Sequence, residues 1–107
     1  RGGANISARE MEELLFLHPK IDNVACVAMP DPVLSERVCA FVICPAGKTL
    51  EFDEMVGFLK AKRVNNWKLP ERLEIRDEFP MTPSGKIQKF LLRKEIAELT
   101  GQAQLIR

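Results

Sequence analysis

Two spacings of apolar residues alternate along the chain. Ile6-Ser7-Ala8-Arg9-Glu10-Met11 has the form of a helix start. Ser7 and Glu10 can exchange side-chain and amide hydrogen bonds, and Ile6 can pack on Met11. Met11, Leu14, Leu15 and His18 then recur at i, i+3, i+4, i+7 before Pro19, which predicts a first helix with that stripe inward. Two unbroken apolar runs follow, 24–29 (VACVAM), stopped by Pro30-Asp31-Pro32, and 38–44 (VCAFVIC), stopped by Pro45-Ala46-Gly47. Their length and β-branched content predict strands, and residues 33–37 are enough for an antiparallel return.

A second amphipathic helix is expected with Phe52, Met55, Val56 and Leu59 on one face. Its acids Glu51, Asp53 and Glu54 stand at the start and its bases Lys60, Lys62 and Arg63 at the end, as the helix dipole favours. Residues 65–70 (NNWKLP) break it. Residues 72–77 alternate as a third strand with Leu73 and Ile75 facing the core. From about Ile87 to Leu99 the helical period returns, with Leu92, Ile96 and Leu99 on one face and Thr100-Gly101 ending it. The order α, β, β, α, β, α predicts an α+β domain: a small, mostly antiparallel sheet of about three strands covered by three helices. Residues 102–107 are expected to fray.

The 107 residues, 46% apolar and 29% charged, fit one globular domain over 1–107 with a modest core. Sixteen basic residues against 15 acidic ones leave a net charge of +1, and Tyr is absent. Neither a field for nucleic acid or anionic membrane nor a base-stacking surface is implied. The apolar runs are too short for a bilayer, and the opening residues lack a signal-peptide pattern. Cys26, Cys39 and Cys44 are odd in number and lack C-x-x-C spacing. They are read as buried small hydrophobes in a reducing, cytoplasmic setting, with no metal site expected. His18, the only histidine, has no nucleophile and acid to complete a triad and is read as structural. Trp67 could cover the core edge or touch a ligand, packing being the preferred reading. Arg1-Gly2-Gly3 opens the chain without a Met, which suggests a piece of a longer protein.

The stretch 80–89 (PMTPSGKIQK) carries the candidate chemistry. It is not a Walker loop: Pro80 stands where the first Gly is needed, and Ile87 follows the Lys in place of a Ser or Thr. Lys86 is placed at the mouth of the last helix, where the dipole favours an acid. Pro80 and Pro83 stiffen the turn, Thr82 and Ser84 supply hydroxyls, and Gly85 lets the backbone pass close to something. Two readings stand at this point. Lys86 is a solvated lysine beside a wet face of Lys89, Arg93 and Lys94, or it is a cation held out for an anion.

Arg1-Gly2-Gly3 followed by Asn5-Ile6, Glu10 and Glu12, then Trp67-Lys68 with Pro70, then Pro80, Thr82 and Ser84-Gly85-Lys86-Ile87, together resemble the small C-terminal domain of the adenylate-forming enzymes. The resemblance covers essentially the whole chain and is nearer to the acyl- or aryl-CoA synthetases than to peptide-synthetase domains. It implies a two-step ligase using ATP, Mg2+ and coenzyme A. A carboxylic acid attacks the α-phosphate, and a thiol then displaces AMP. It implies that Lys86 is the catalytic lysine of adenylation, carried on a loop with Thr82, Ser84 and Gly85. It implies that Gly2 and Gly3 line the pantetheine passage after the domain rotates. It implies that Lys86 is acetylated by a protein acetyltransferase, with a deacetylase as counterpart. The large N-terminal domain is the implied partner, without which this chain should hold no cofactor and be inactive. The rival reading is a stand-alone module that binds a phosphorylated ligand or protein through Lys86, Lys89, Arg93 and Lys94.

Overall fold

The computed structural model describes residues 8–31, 35–64 and 69–100. The expectations for Ile6, Ser7, Gly2, Gly3, Trp67 and the 102–107 tail fall outside that set. The elements run α1 (Ala8–Leu15), β1 (Asn23–Asp31), β2 (Ser35–Ile43), α2 (Phe52–Ala61), β3 (Arg72–Ile75) and α3 (Lys89–Leu99), in the order expected. The sheet order is β1-β2-β3. β1 and β2 form a long antiparallel ladder from Asn23↔Ile43 to Asp31↔Ser35. β3 joins β2 in parallel, from Cys39↔Arg72 to Val42↔Ile75. The longer pairing is antiparallel as expected. The parallel one follows from connectivity, because α2 lies between β2 and β3 and supplies the crossover that parallel neighbours require.

β1 and β2 read as unbroken apolar runs because both faces of the sheet are covered. Val24, Cys26, Ala40 and Val42 pack with Met11 and Leu15 of α1 and with Met55 and Leu59 of α2. Ala25, Val27, Met29, Cys39 and Phe41 point the other way, onto Phe79 and onto Leu92 and Ile96 of α3. Three layers result, with α1 and α2 on one face and α3 on the other. Cys26 and Cys39 are buried core residues, and burial above all pushes both thiols up to about 12. Both are therefore protonated and unreactive at neutral pH.

Three residues expected to face inward do not. Phe52, Ile75 and Leu99 are exposed, and each is a terminal residue of its element. Periodicity identifies a face but not where the opposing layer stops. Phe52 lies in the first turn of α2 and is exposed, and the buried stripe starts at Met55. β1 also runs past Pro30, the expected stop. In an antiparallel pair alternate amides point away from the partner, and Pro30 shares the parity of Cys26, whose N–H is turned off the sheet towards Glu12. A missing N–H costs nothing there, because among the described residues β1 is an edge strand.

His18 lies just beyond α1 and is buried, as its place on the apolar stripe implied. Its Nδ1 accepts the Lys20 N–H at 3.0 Å, and its ring stands edge-on to Phe58 with centroids 4.7 Å apart. Lys20 in turn pairs with Glu54 at 2.9 Å, fastening the end of α1 to the start of α2. A second charged group pins α3 to the sheet. Arg76, beyond β3, donates to Glu95 of α3 at 3.0 Å and to Glu74 at 3.0 Å, and its guanidinium lies 5.1 Å from the Phe41 ring.

Burial opposes ionisation of Glu74, but hydrogen bonds from Arg72, at 2.6 Å, and Arg76 outweigh it and hold the carboxyl below its usual value. The folded value lies below the unfolded one, so this stabilisation is complete above the unfolded value and disappears as pH falls through the folded one. Chemical denaturation between about pH 5 and about pH 3 is expected to show a shallower loss of stability for Glu74→Gln than for the wild-type chain. Parallel pH profiles would remove Glu74 from the account.

Candidate functional site

Residues 80–88 form a small hairpin rooted in the core by Phe79, which is buried, and by half-buried Ile87. Met81 and Ile87 bridge across its stem, and the Gln88 N–H donates to the Pro80 carbonyl at 2.8 Å. At the tip the Thr82 N–H donates to the Lys86 carbonyl at 2.8 Å, and the Gly85 N–H donates to the Thr82 carbonyl at 2.9 Å. The Lys86 N–H donates to Thr82 Oγ1 at 3.0 Å, and the Thr82 and Ser84 hydroxyls share a hydrogen bond of 3.0 Å. Pro83 occupies the second position of the Thr82–Gly85 turn, where its fixed φ is favoured. Gly85 closes it with a φ of +90°.

Thr82, Ser84 and Gly85 are thus brought together with Lys86, and the hydrogen bonds of the two hydroxyls lie within the turn. The hydroxyls shape the turn. A Cβ on Gly85 would meet nothing within 4 Å in this chain, so within the domain itself glycine is required by its positive φ. Lys86 is exposed on the returning strand, and among the described residues its ammonium has no ion-pair partner. Exposed apolar side chains flank the hairpin in sequence, Met81 on its stem and Phe90 in the first turn of α3.

The helix mouth expected for Lys86 belongs to another lysine. α3 begins at Lys89 with Gln88 as its N-cap, so Lys86 precedes the cap and is held by the hairpin. α3 has no acid in its first turn and no side-chain cap. Lys89 therefore sits in the unfavourable place, and it is paired: its Nζ lies 2.5 Å from Glu12 Oε2 of α1. The same oxygen accepts the Cys26 N–H at 2.8 Å. This pairing removes Lys89 from the basic face of the rival reading and leaves Arg93 and Lys94 exposed. Glu12 carried no sequence signal for the role, since only the fold brings the first helix to the last. Gly2 and Gly3 lie outside the described residues. Among the described residues no three His, Cys, Asp or Glu side chains converge as metal ligands, and no helix is long and apolar enough to cross a membrane.

The family described as the AMP-binding enzyme C-terminal domain matches residues 10–86, from α1 through Lys86 itself. The chain belongs to that family. As an AMP-binding C-terminal domain it is 50% identical over 97 residues to the medium-chain fatty-acid–CoA ligase of Escherichia coli K12, covering 90% of this chain and 17% of that protein. It is 46% identical over 93 residues to the salicylyl-CoA synthase / salicylate adenylyltransferase of a Streptomyces species, covering 87% and 17% respectively. The solved acyl-CoA synthetase of Brucella canis superimposes with a TM-score of 0.79 at 37% identity, covering 89% of this chain and 18% of that one. The chain thus spans less than a fifth of these relatives, and its similarity to them is that of a C-terminal domain of an adenylate-forming acyl-CoA synthetase.

The geometry separates two glycines of the AMP-binding C-terminal domain. Gly57 is exposed in α2, with open space where a Cβ would stand and no positive φ. Gly57→Ala is expected to stabilise the domain by up to about 1 kcal/mol, because helical glycine is entropically costly. Gly85→Ala is expected to destabilise it by about 1 kcal/mol and to speed amide exchange at Thr82 and Lys86, because alanine resists positive φ. Denaturant titration with amide exchange checks both, and equal signs would refute the comparison.

Proposed function

We propose that this domain is the mobile lid of an ATP-dependent, AMP-forming acid–thiol ligase, an acyl- or aryl-CoA synthetase, and that Lys86 is its adenylation lysine. In the first step a carboxylate oxygen of the acid attacks the α-phosphorus of ATP and pyrophosphate leaves. In the second the sulfur of coenzyme A attacks the acyl carbon of the mixed anhydride and AMP leaves with the bonding pair. Negative charge gathers between the acid and the phosphoryl group in the first step, and a compact ammonium delivered there orients the reactants and stabilises the transition state. The observation that carries this reading is the presentation of Lys86: an exposed cation on a turn closed by the Thr82, Gly85 and Lys86 amides. The turn fixes where the stem of the lysine starts, and the four-carbon arm does the reaching.

After adenylation the domain turns, Lys86 withdraws, and Gly2-Gly3 lines the passage of the pantetheine arm, where the absence of a side chain leaves room for the thiol chain. The nucleotide, Mg2+ and acid are held by a large N-terminal domain, and the present chain alone is inactive. The relatives named above act on a medium-chain fatty acid and on salicylate, so the acid is chosen by that other domain and not by this one. Acetylation of Lys86 would remove its charge and silence adenylation until a deacetylase restored it. Exposure of the side chain suits such modification. The free, buried thiols of Cys26 and Cys39 suit a reducing cytoplasm.

In the full-length enzyme, Lys86→Ala and the acetyl mimic Lys86→Gln are expected to lower carboxylate-dependent pyrophosphate exchange by about a hundredfold or more. Thioester formation from pre-made acyl-adenylate should remain within about threefold of wild type. A binding module would support no exchange at all. Undiminished exchange in Lys86→Ala would overturn the assignment.

A further inference from the structure

We propose that Glu12 is a positioning residue for the adenylation step, holding the Lys86 hairpin at its working angle through Lys89; this rests on the role given to Lys86 above. The hairpin is rigid in itself, so what remains to be fixed is its attachment. It leads directly into α3: Ile87 closes the stem, Gln88 caps the helix and Lys89 is its first residue. α3 lies on one face of the sheet and α1 on the other. The Glu12–Lys89 pair joins these opposite layers, and it does so over the open edge of β1, since the Glu12 oxygen that holds Lys89 also takes the outward N–H of Cys26.

The pair is placed to matter. The Glu12 side chain is only 16% exposed and that of Lys89 41%, so solvent screens their attraction less than at an open surface. Lys89 stands where the α3 dipole repels a cation, and Glu12 provides from another helix the negative charge that the first turn of α3 lacks. Without that charge Lys89 would turn out to water and the first turn of α3 would loosen, so that the hairpin, still anchored by Phe79 and Ile87, would lose its fixed angle on the α3 side. The rest of the helix would stay in place, because Leu92 and Ile96 are buried and Glu95 is bound by Arg76. α1 would also stay, because Met11 and Leu15 are buried. The predicted defect is therefore local to the element that carries Lys86. A displacement of about 1 Å at a reacting group can cost as much as a hundredfold in rate.

The test uses the full-length enzyme with Glu12→Gln, Lys89→Met and the double variant, measured beside Lys86→Ala. Gln keeps an acceptor for the Cys26 N–H and removes only the charge. Each single variant is expected to lower kcat of adenylation about tenfold with little change in KM for ATP, and to leave thioester formation from pre-made adenylate within about twofold. The double variant should be no worse than the poorer single one, because both remove one bond. Lys89→Arg, which keeps the charge, should recover most of the rate. Equal losses in both half-reactions, additive losses, or rates that follow melting temperature alone would overturn the proposal in favour of a purely structural pair. Should Glu12→Gln fail to fold, Lys89→Met and Lys89→Arg carry the same decision. If Lys86→Ala abolishes exchange while Glu12→Gln and Lys89→Met leave it intact, this inference alone fails; if Lys86→Ala retains exchange, the reading of Lys86 fails and takes this one with it.

Discussion

A single carboxylate oxygen, Glu12 Oε2, meets an amide of the edge strand and the first ammonium of the last helix. Charge-assisted hydrogen bonds of this kind contribute about 1.5–3 kcal/mol each, far less than the two apolar clusters on either side of the sheet. Bulk cohesion therefore comes from Phe41, Met11, Leu92 and their neighbours. What the carboxylate contributes is alignment. Hydrophobic contact is tolerant of small rotations, whereas a short ionic contact specifies where the start of α3 lies relative to α1. Since α3 follows the Lys86 hairpin without a linker, the hairpin shares that alignment.

The hairpin shows a related division of labour. Its backbone is over-determined by Pro83, by the positive φ of Gly85 and by the Thr82 hydroxyl, while the lysine side chain is left in solvent. A stiff base with a long arm suits the reaching role proposed for Lys86. Thr82 and Ser84 serve the base: their hydroxyls are bonded to each other, and that of Thr82 also accepts the Lys86 N–H.

Much of the architecture was legible in the sequence. The stripe of Met11, Leu15 and His18, the two apolar strands and the inner face of Met55 and Leu59 all follow from period and length; these named residues are buried, while Ala28, Val38, Ile43 and Cys44 of the two apolar runs are half-buried. What eluded that reading has physical reasons. Phe52, Ile75 and Leu99 fit their periods but lie at element ends, where no opposing layer remains. The parallel pairing of β3 depends on how α2 carries the chain, which local pattern does not encode. Helical period places the start of α3 two residues early because Ile87, an apolar residue at the right spacing, belongs to the hairpin stem. That shift moved the misplaced charge from Lys89 to Lys86. The candidate site was legible as a motif, with Thr82, Ser84, Gly85 and Lys86 gathered on one turn, yet Glu12 was not, because its partner is distant in sequence.

The two margins of the sheet are each protected by different means. Along β1, Glu12 occupies the Cys26 amide, Asn23 Oδ1 takes that of Val24 at 2.9 Å, and Pro30 has none to offer. β3 is only four residues long and carries Arg72 and Glu74. Such margins resist the addition of a foreign strand, which is how exposed sheets polymerise. An open row of amides would otherwise show neighbouring molecules a template for pairing, and among the described residues that row is interrupted along β1 and cut short along β3.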